Sequence, residues 1–497
     1  MTIGWRMTGR QSTDSEVFPW TGEPPRDECY WMTQVNKATI LTNLGRGLLA
    51  PEQAKAFARG VAAVEKRTNT PGERRPRIYI HFEPMLIEAA GLEATLIHAG
   101  RSSQDIHATF LRTIARDQIL EAARELNAAR RALLALAVKH RDVIAPGYTN
   151  GVAAQPNRLS HQWLGLLAGF TRDMERIREF YRRLNRCPMG TTVLNGTPWP
   201  LDREGMSRYL GFFSPIENAF DAAQVDSEDE ALESAQVLVS PLLHIGHFIA
   251  DVMTQYAQAR PWILVGATYI SSAMPQKRNP GSLIDVRRDA SALLAQLQSV
   301  AWRSHNLMPG MYDAKDQRIN GEMLDDAAAV FEAFAEVIPK LSVNAERALE
   351  EVNSEWTGSQ NIADVLMRDF AVPFRVGHRF SSRLVTEARN RAMTPVKVSY
   401  ELAKDVWKEV ASEAGKDLPG LPAELPLDEK AFRAALDPLA IVNGRQSAGG
   451  PQASEMEKMF GTAEAALAAD ERWVCESAHA VALAQAKLDS DFRALAA

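Results

Sequence analysis

The stretch that decides how this chain is read is YISSAMPQKRNPGSL, residues 269–283. Ser271 and Ser272 stand beside a small residue and a Met-Pro pair; Lys277, Arg278, Asn279 and a second proline follow. Pro275 and Pro280 fit neither a helix interior nor a central strand, so the run reads as a loop. It carries two hydroxyls, a fixed cation and an amide. The serines and loop N–H groups can bind a carboxylate, and Lys277 and Asn279 can stabilise a second negative charge through hydrogen bonds. Abstraction of a proton next to a carboxylate needs such a host, because it produces a dianion. A serine acts as the base only as an alkoxide held by amides and a nearby cation. By composition alone, an ordinary polar loop between helices competes with this reading.

The flanks are helical. Gln104 to Lys139 contains no Gly and no Pro. Its apolar residues, among them Ile106, Phe110, Ile114, Leu120, Leu126 and Leu133, recur at mixed spacings of three and four, the mark of an amphipathic helix. Similar patterns cover 228–256, 282–303 and 325–352, with a kink or break expected at Pro241. The stripes are apolar on more than one side, which suits a bundle. Strand signals are few and short, such as RIYIHF at 77–82. Breaks are expected at RTNTPGERRPR, NRCPMGTTVLNGTPWP and KDLPGLPAELP, all rich in Pro, Gly or polar residues.

The 497 residues exceed one compact core. The reading is three units: a mixed helical part at 1–105, a central long-helix bundle domain at 106–352, and a helical C-terminal part at 353–497. A net charge of −6 leaves no footprint for nucleic acid or anionic lipid. Cys29, Cys187 and Cys475 are far apart and odd in number, which points to a reducing compartment and offers no metal spacing. The opening MTIGWRMTGRQSTDSEVFPW has no secretory-signal pattern, and no long charge-free apolar run is evident, so a cytoplasmic protein without a membrane span is expected.

Five segments carry a resemblance. SSAMPQKRNP resembles the signature loop of the fumarase/aspartase superfamily, S-S-x-M-P-x-K-x-N-P. HAGRSSQD (98–105), PGYTNGVAAQPNRLSH (146–161), VPFRVGH (372–378) and LDPLAIVNGRQSAGG (436–450) are similar, in order, to motifs of the argininosuccinate lyase branch. The resemblance implies a mostly α, three-domain fold whose long central helices form a twenty-helix bundle in a homotetramer, with each active site drawing on three subunits. It implies Ser271 as the base that removes a Cβ proton from a succinyl group. It places Ser272, Met274, Lys277 and Asn279 on the substrate carboxylates and the dianion. Arg101 and Ser102 match the first motif, Thr149 a carboxylate-binding hydroxyl, and Tyr312 and Gln317 the recognition of the non-succinyl half. No metal or organic cofactor is implied.

Departures from the family pattern bear on the leaving group. Asn150 stands where the family has a His that assists the leaving amine, and an amide delivers no proton at neutral pH. Ser103 and Gln104 replace an Arg and an Asn. Asn320 replaces a Lys, and Ile270 a Gly. His161 is the candidate replacement acid, with a structural His as the competing reading. The base and the succinate-holding parts are kept while the leaving-group side is altered. The expectation is therefore a C–N lyase that releases fumarate and an amine from an N-substituted aspartate, of the ethylenediamine-disuccinate lyase type. Argininosuccinate lyase proper, an elimination with a non-amine leaving group, and a catalytically silent homologue are the alternatives.

Overall fold

The computed structural model describes residues 24–266 and 268–497, apart from the side chains of Gln317 and Arg318. The opening segment read above for targeting signals lies outside the described residues. The chain begins with α1 (Glu28–Gly45), α2 (Pro51–Thr68) and α3 (Tyr79–Ala90). The long α4 (Ser103–Lys139) and α5 (Leu159–Leu184) follow, joined through an antiparallel hairpin of β1 (Ile144–Thr149) and β2 (Val152–Arg158). Next come α6 (Arg203–Leu210), α7 (Asp226–Tyr256), α8 (Gly281–Arg303) and α9 (Gln317–Val337). Then α10 (Ala345–Ser354), α11 (Ser359–Phe370), α12 (Phe374–Asn390), α13 (Tyr400–Ala414), α14 (Glu429–Leu436) and α15 (Pro438–Asn443) lead to the final α16 (Ala453–Ala496).

The first of the expected long helices is α4, within a residue of its predicted start. Ser102 caps it: its Oγ accepts from the Gln104 N–H at 3.4 Å, while Asp105 accepts from the Ser102 N–H at 2.6 Å. Two expectations are corrected. RIYIHF enters α3 and forms no strand. Tyr79, Phe82 and Leu86 are all buried at helical spacing, so packing of one face overrides the β preference of the residue types. The expected helix 325–352 is two helices, α9 and α10. Pro339 sits in the 3₁₀ turn Ile338–Lys340 that ends the first, and Leu341–Val343 then pairs antiparallel with Ile263–Val265. By contrast, α7 continues through Pro241. Buried Leu238, Leu242 and Ile245 pack the helix on either side of the proline, and that packing outweighs the one hydrogen bond the ring removes.

The buried side chains form three clusters. The largest joins α4, α5, α7, α8 and α9. A second gathers α1–α3 and the start of α4, and a third lies within 356–436. The last helix does not pack on the third cluster. Met456, Phe460, Leu467 and Val474 enter the first, and Val481, Leu488 and Phe492 the second. At ~1.5 Å per residue α16 is roughly 65 Å long, enough to bridge both. Buried Lys37 of α1 fastens its far end, with Nζ 2.7 Å from both Glu65 and Asp489. The segment Asp221–Tyr256 is also long and apolar enough to cross a membrane by length and composition, which the sequence reading did not anticipate. Its apolar residues at 238, 242, 245, 249 and 252 are buried in the largest cluster, as a bundle helix requires.

Candidate active site

The 269–283 stretch is a small hairpin. Tyr269 and Ile270 pair antiparallel with Asn279 and Arg278. Tyr256 at the end of α7 donates its hydroxyl to the Arg278 carbonyl at 2.9 Å, tying the loop to the bundle. Gly281, which starts α8, lies under the Tyr269 ring; a Cβ there would meet it at 2.7 Å. Between these anchors the chain turns back on itself, with the Lys277 N–H donating to Met274 O at 3.0 Å. Ser271 Oγ accepts from the N–H groups of Met274 at 3.2 Å and Ala273 at 3.4 Å. Two backbone dipoles thus point at the oxygen that would carry the alkoxide. Ser272, Met274 and Lys277 are exposed, and Nζ of Lys277 has no partner among the described residues. Asn279 is half-buried, its Nδ2 donating to Tyr269 O at 3.4 Å.

Thr149, Asn150 and His161 belong to a second group. Asn150 and Gly151 form the tip of the β1–β2 hairpin, with φ of +53° and +76°. They lie between the paired residues Thr149 and Val152. Asn-Gly with both φ positive is the pairing that a two-residue primed turn favours. The Asn that departs from the family pattern is therefore also the residue this turn selects. Thr149 and His161 line a cleft of about 900 Å³ between the hairpin, α5, α7 and the loop after α15. His161 donates Nε2–H to the Gly449 carbonyl at 2.9 Å, which leaves Nδ1 as its remaining ring position. His244 also lines the cleft, paired with an aspartate behind it. Asp173 is fully buried and accepts from His244 Nδ1 at 2.6 Å. Gly169 leaves room for that ring.

The first motif and Tyr312 make a third group. Arg101 is 6% exposed and faces inward. Its guanidinium donates to Asn36 at 2.9 Å, Thr39 at 3.1 Å and the Tyr79 hydroxyl at 2.7 Å, bracing α1 and α3. Asp105, fully buried, accepts from the N–H groups of Ser102, Gly190, Thr191 and Thr192. Burial pushes its pKa up, and these donors and Arg101 pull the other way. Ser103 is half-buried in the first turn of α4. Gln104 shares a small cavity with His107, Glu230, Tyr312, Lys315 and Asn320. The Tyr312 ring stands edge-on to His107 at 6.4 Å. Burial pushes the His107 imidazole down to about 4 and the Glu230 carboxyl upward. Lys315 Nζ lies 3.8 Å from Glu228, and burial lowers its pKa. Asn320 spends its amide internally, accepting from Arg303 at 2.7 Å and donating to Ala314 O at 2.8 Å. The side chain of Gln317 lies outside the described residues.

The fold therefore brings Gln104 to Tyr312 and Thr149 to His161. Ser271 lines neither cavity. A sequence family described as Lyase matches residues 73–291. The argininosuccinate lyase of Pseudoalteromonas atlantica is 31% identical over 369 residues, covering 73% of this chain and 79% of that protein. The chain belongs to the argininosuccinate lyase branch of the fumarase/aspartase superfamily. The argininosuccinate lyase of Archaeoglobus fulgidus is 30% identical over 438 residues, covering 86% of this chain and 84% of its own. Among solved structures, a variant of EDDS lyase with bound fumarate superposes with a TM-score of 0.85 at 25% identity. It covers 94% of this chain and 91% of that one. A class II fumarase from Schistosoma mansoni shares the fold, with a TM-score of 0.65 at 16% identity, over 85% of this chain and 92% of its own.

Membership makes the protein a lyase of mostly α fold. Three features of the site went unread in the sequence. The Asn-Gly turn had its signal in plain view, since that dipeptide between alternating residues marks a hairpin. Arg445, in the segment 436–450, was quoted without a role and now lines the same cleft as His161. The pairing of Asp173 with His244 had no local signal, because two helices bring the residues together.

Proposed function

We propose that the protein is a carbon–nitrogen lyase that eliminates an amine from an N-substituted aspartate to give fumarate. The observation that carries this reading is Ser271, whose Oγ accepts two loop N–H groups on the same turn that presents Lys277 and Asn279. Ser271, as alkoxide, takes the Cβ proton. The electron pair of that C–H bond becomes the C=C bond, passing through a dianionic carboxylate that Lys277 and Asn279 hold. The C–N bond then breaks with its electrons on nitrogen. A secondary ammonium already carries the proton it needs, so it leaves as a neutral amine without an added acid. Asn150 at the hairpin tip is consistent with that economy. The argininosuccinate lyase relatives and the likeness to EDDS lyase with bound fumarate support the succinyl half of the substrate.

The separation of Ser271 from both cavities supports a second element of the proposal. A full site would combine the loop, the cleft and the Gln104–Tyr312 group from different subunits of a homotetramer, where the many-sided apolar helices also find cover. The test offers fumarate with a panel of amines and amino acids, and argininosuccinate in the opposite direction, to the intact protein. Ultraviolet absorbance of fumarate is followed, with light scattering on the same sample. The expected result is fumarate consumption with at least one simple amine or amino acid, by a tetramer. Ser271→Ala should lower the rate by about a hundredfold to ten-thousandfold with the helical circular dichroism unchanged. Turnover of argininosuccinate alone, activity in a monomer, or a Ser271→Ala rate within tenfold of the parent would each overturn the corresponding part.

A further inference from the structure

The cleft beside His161 carries hydrogen-bond donors that no described residue satisfies. Arg445 is half-buried in its wall, yet its guanidinium has no hydrogen-bond or ion-pair partner among the described residues. Gln162 Nε2, on the first turn of α5, is buried and likewise without an acceptor. Arg172, further along α5, also lacks a partner among the described residues. The neighbouring Arg158 shows what a structural arginine looks like here. It donates to Pro451 O, Asp142 and Asn443, each at 2.9 Å. Those bonds, with His161 on Gly449 O at 2.9 Å, pin both ends of the loop that carries Arg445. The position of Arg445 is thus held by the fold while its charge is left open.

Among the described residues lining the cleft, Asp251 is the one carboxylate, against two arginines. Burial raises its pKa, with His247 pulling the other way. A buried donor without an acceptor is destabilising, and a guanidinium fork matches a carboxylate with two parallel N–H···O bonds. The ligand that completes this wall is therefore rich in acceptor oxygens and negatively charged. We propose that the cleft is a carboxylate-binding site and that Arg445, with Gln162 beside it, anchors one carboxylate of a dicarboxylate ligand. This rests on the preceding reading only in equating that ligand with the succinyl or fumarate half of the substrate.

The test is calorimetric titration of the intact assembled protein with succinate and, separately, with inorganic phosphate. It is repeated on Arg445→Gln and Arg445→Lys, with light scattering on every sample. Succinate should bind the parent protein. Arg445→Gln should weaken it by at least about tenfold, the loss expected for a charged hydrogen bond, and Arg445→Lys by less, with assembly unchanged. In turnover, Arg445→Gln should raise KM for any active succinyl-amine more than it lowers kcat. Succinate affinity unchanged in Arg445→Gln overturns the proposal, and so does absence of binding to the parent. Phosphate binding as tightly as succinate overturns the carboxylate assignment. Dissociation of the assembly in Arg445→Gln, with binding retained, would place this arginine in a subunit contact instead. If no succinyl-amine is turned over but succinate binding still depends on Arg445, the site stands and the proposed reaction fails.

Discussion

Replacing Asn150 with His restores the family residue in a left-handed backbone conformation that both residue types adopt, which makes it a clean test of the leaving-group argument. Asn150 sits at φ +53° in the hairpin tip. Asn and His are both enriched in this left-handed region, so the substitution leaves the turn intact. Alanine, by contrast, costs ~1–2 kcal/mol there, so Asn150→Ala should lower stability without informing on the chemistry. Were the protein an argininosuccinate-type enzyme damaged at position 150, an imidazole acid should return ~10²–10⁴-fold in rate, or roughly 3–5 kcal/mol of transition-state stabilisation. Where the nitrogen leaves already protonated, no such gain exists. We expect kcat/KM of Asn150→His to stay within about threefold of the parent, under ~0.7 kcal/mol. The assay is kcat/KM against pH on one succinyl-amine. Unless His161 supplies the acid, the parent profile should show no limb from an essential His near the imidazole range of about 6.5, and the variant should add none there. A gain of tenfold or more, with a new limb in that range, would refute the reading of the leaving group. His161→Ala on the same substrate then shows whether that imidazole has taken over the acid role.

Two further outcomes follow from the packing. Burial holds the His107 pKa near 4 against an ordinary 6.5, so between those values the unfolded chain binds the proton that the folded one refuses. The linked stability is complete above about pH 6.5 and is lost as the pH falls towards 4, by up to ~3 kcal/mol. His107→Gln keeps an acceptor for the Tyr79 N–H, which now donates to Nε2 at 3.3 Å. It should flatten the fall in urea midpoint over that range, and an unchanged slope would rule the linkage out. In Gly169→Ala, the new Cβ would lie 3.0, 3.1 and 3.3 Å from three atoms of the His244 ring, which Asp173 holds at 2.6 Å. Overpacking of ~1–3 kcal/mol should exceed the ~1 kcal/mol of helix propensity gained. Gly461→Ala, with nothing within 4 Å on α16, should instead raise the denaturation midpoint. Equal midpoints for the two variants would show that the ring is not tightly packed.

Local pattern sufficed for the long helices, because an amphipathic repeat over 37 residues, as in α4, is repeated evidence for one period. It sufficed also to place a break between helices at 269–283, where two prolines fit no helix interior. It failed at RIYIHF and at Pro339, where the outcome rests on which face finds a core and on one ring without an N–H. Motif position alone could not say that Arg101 turns inward onto Asn36, Thr39 and Tyr79 while Arg445 keeps its charge unpaired. Both are arginines in quoted motifs, and only partners distant in the chain distinguish them. The same holds for Asp173 and His244, 71 residues apart and joined by one hydrogen bond across two helices. A side chain's period is written in its neighbours along the chain. Its charge, tautomer and partners are set by whatever packing brings against it.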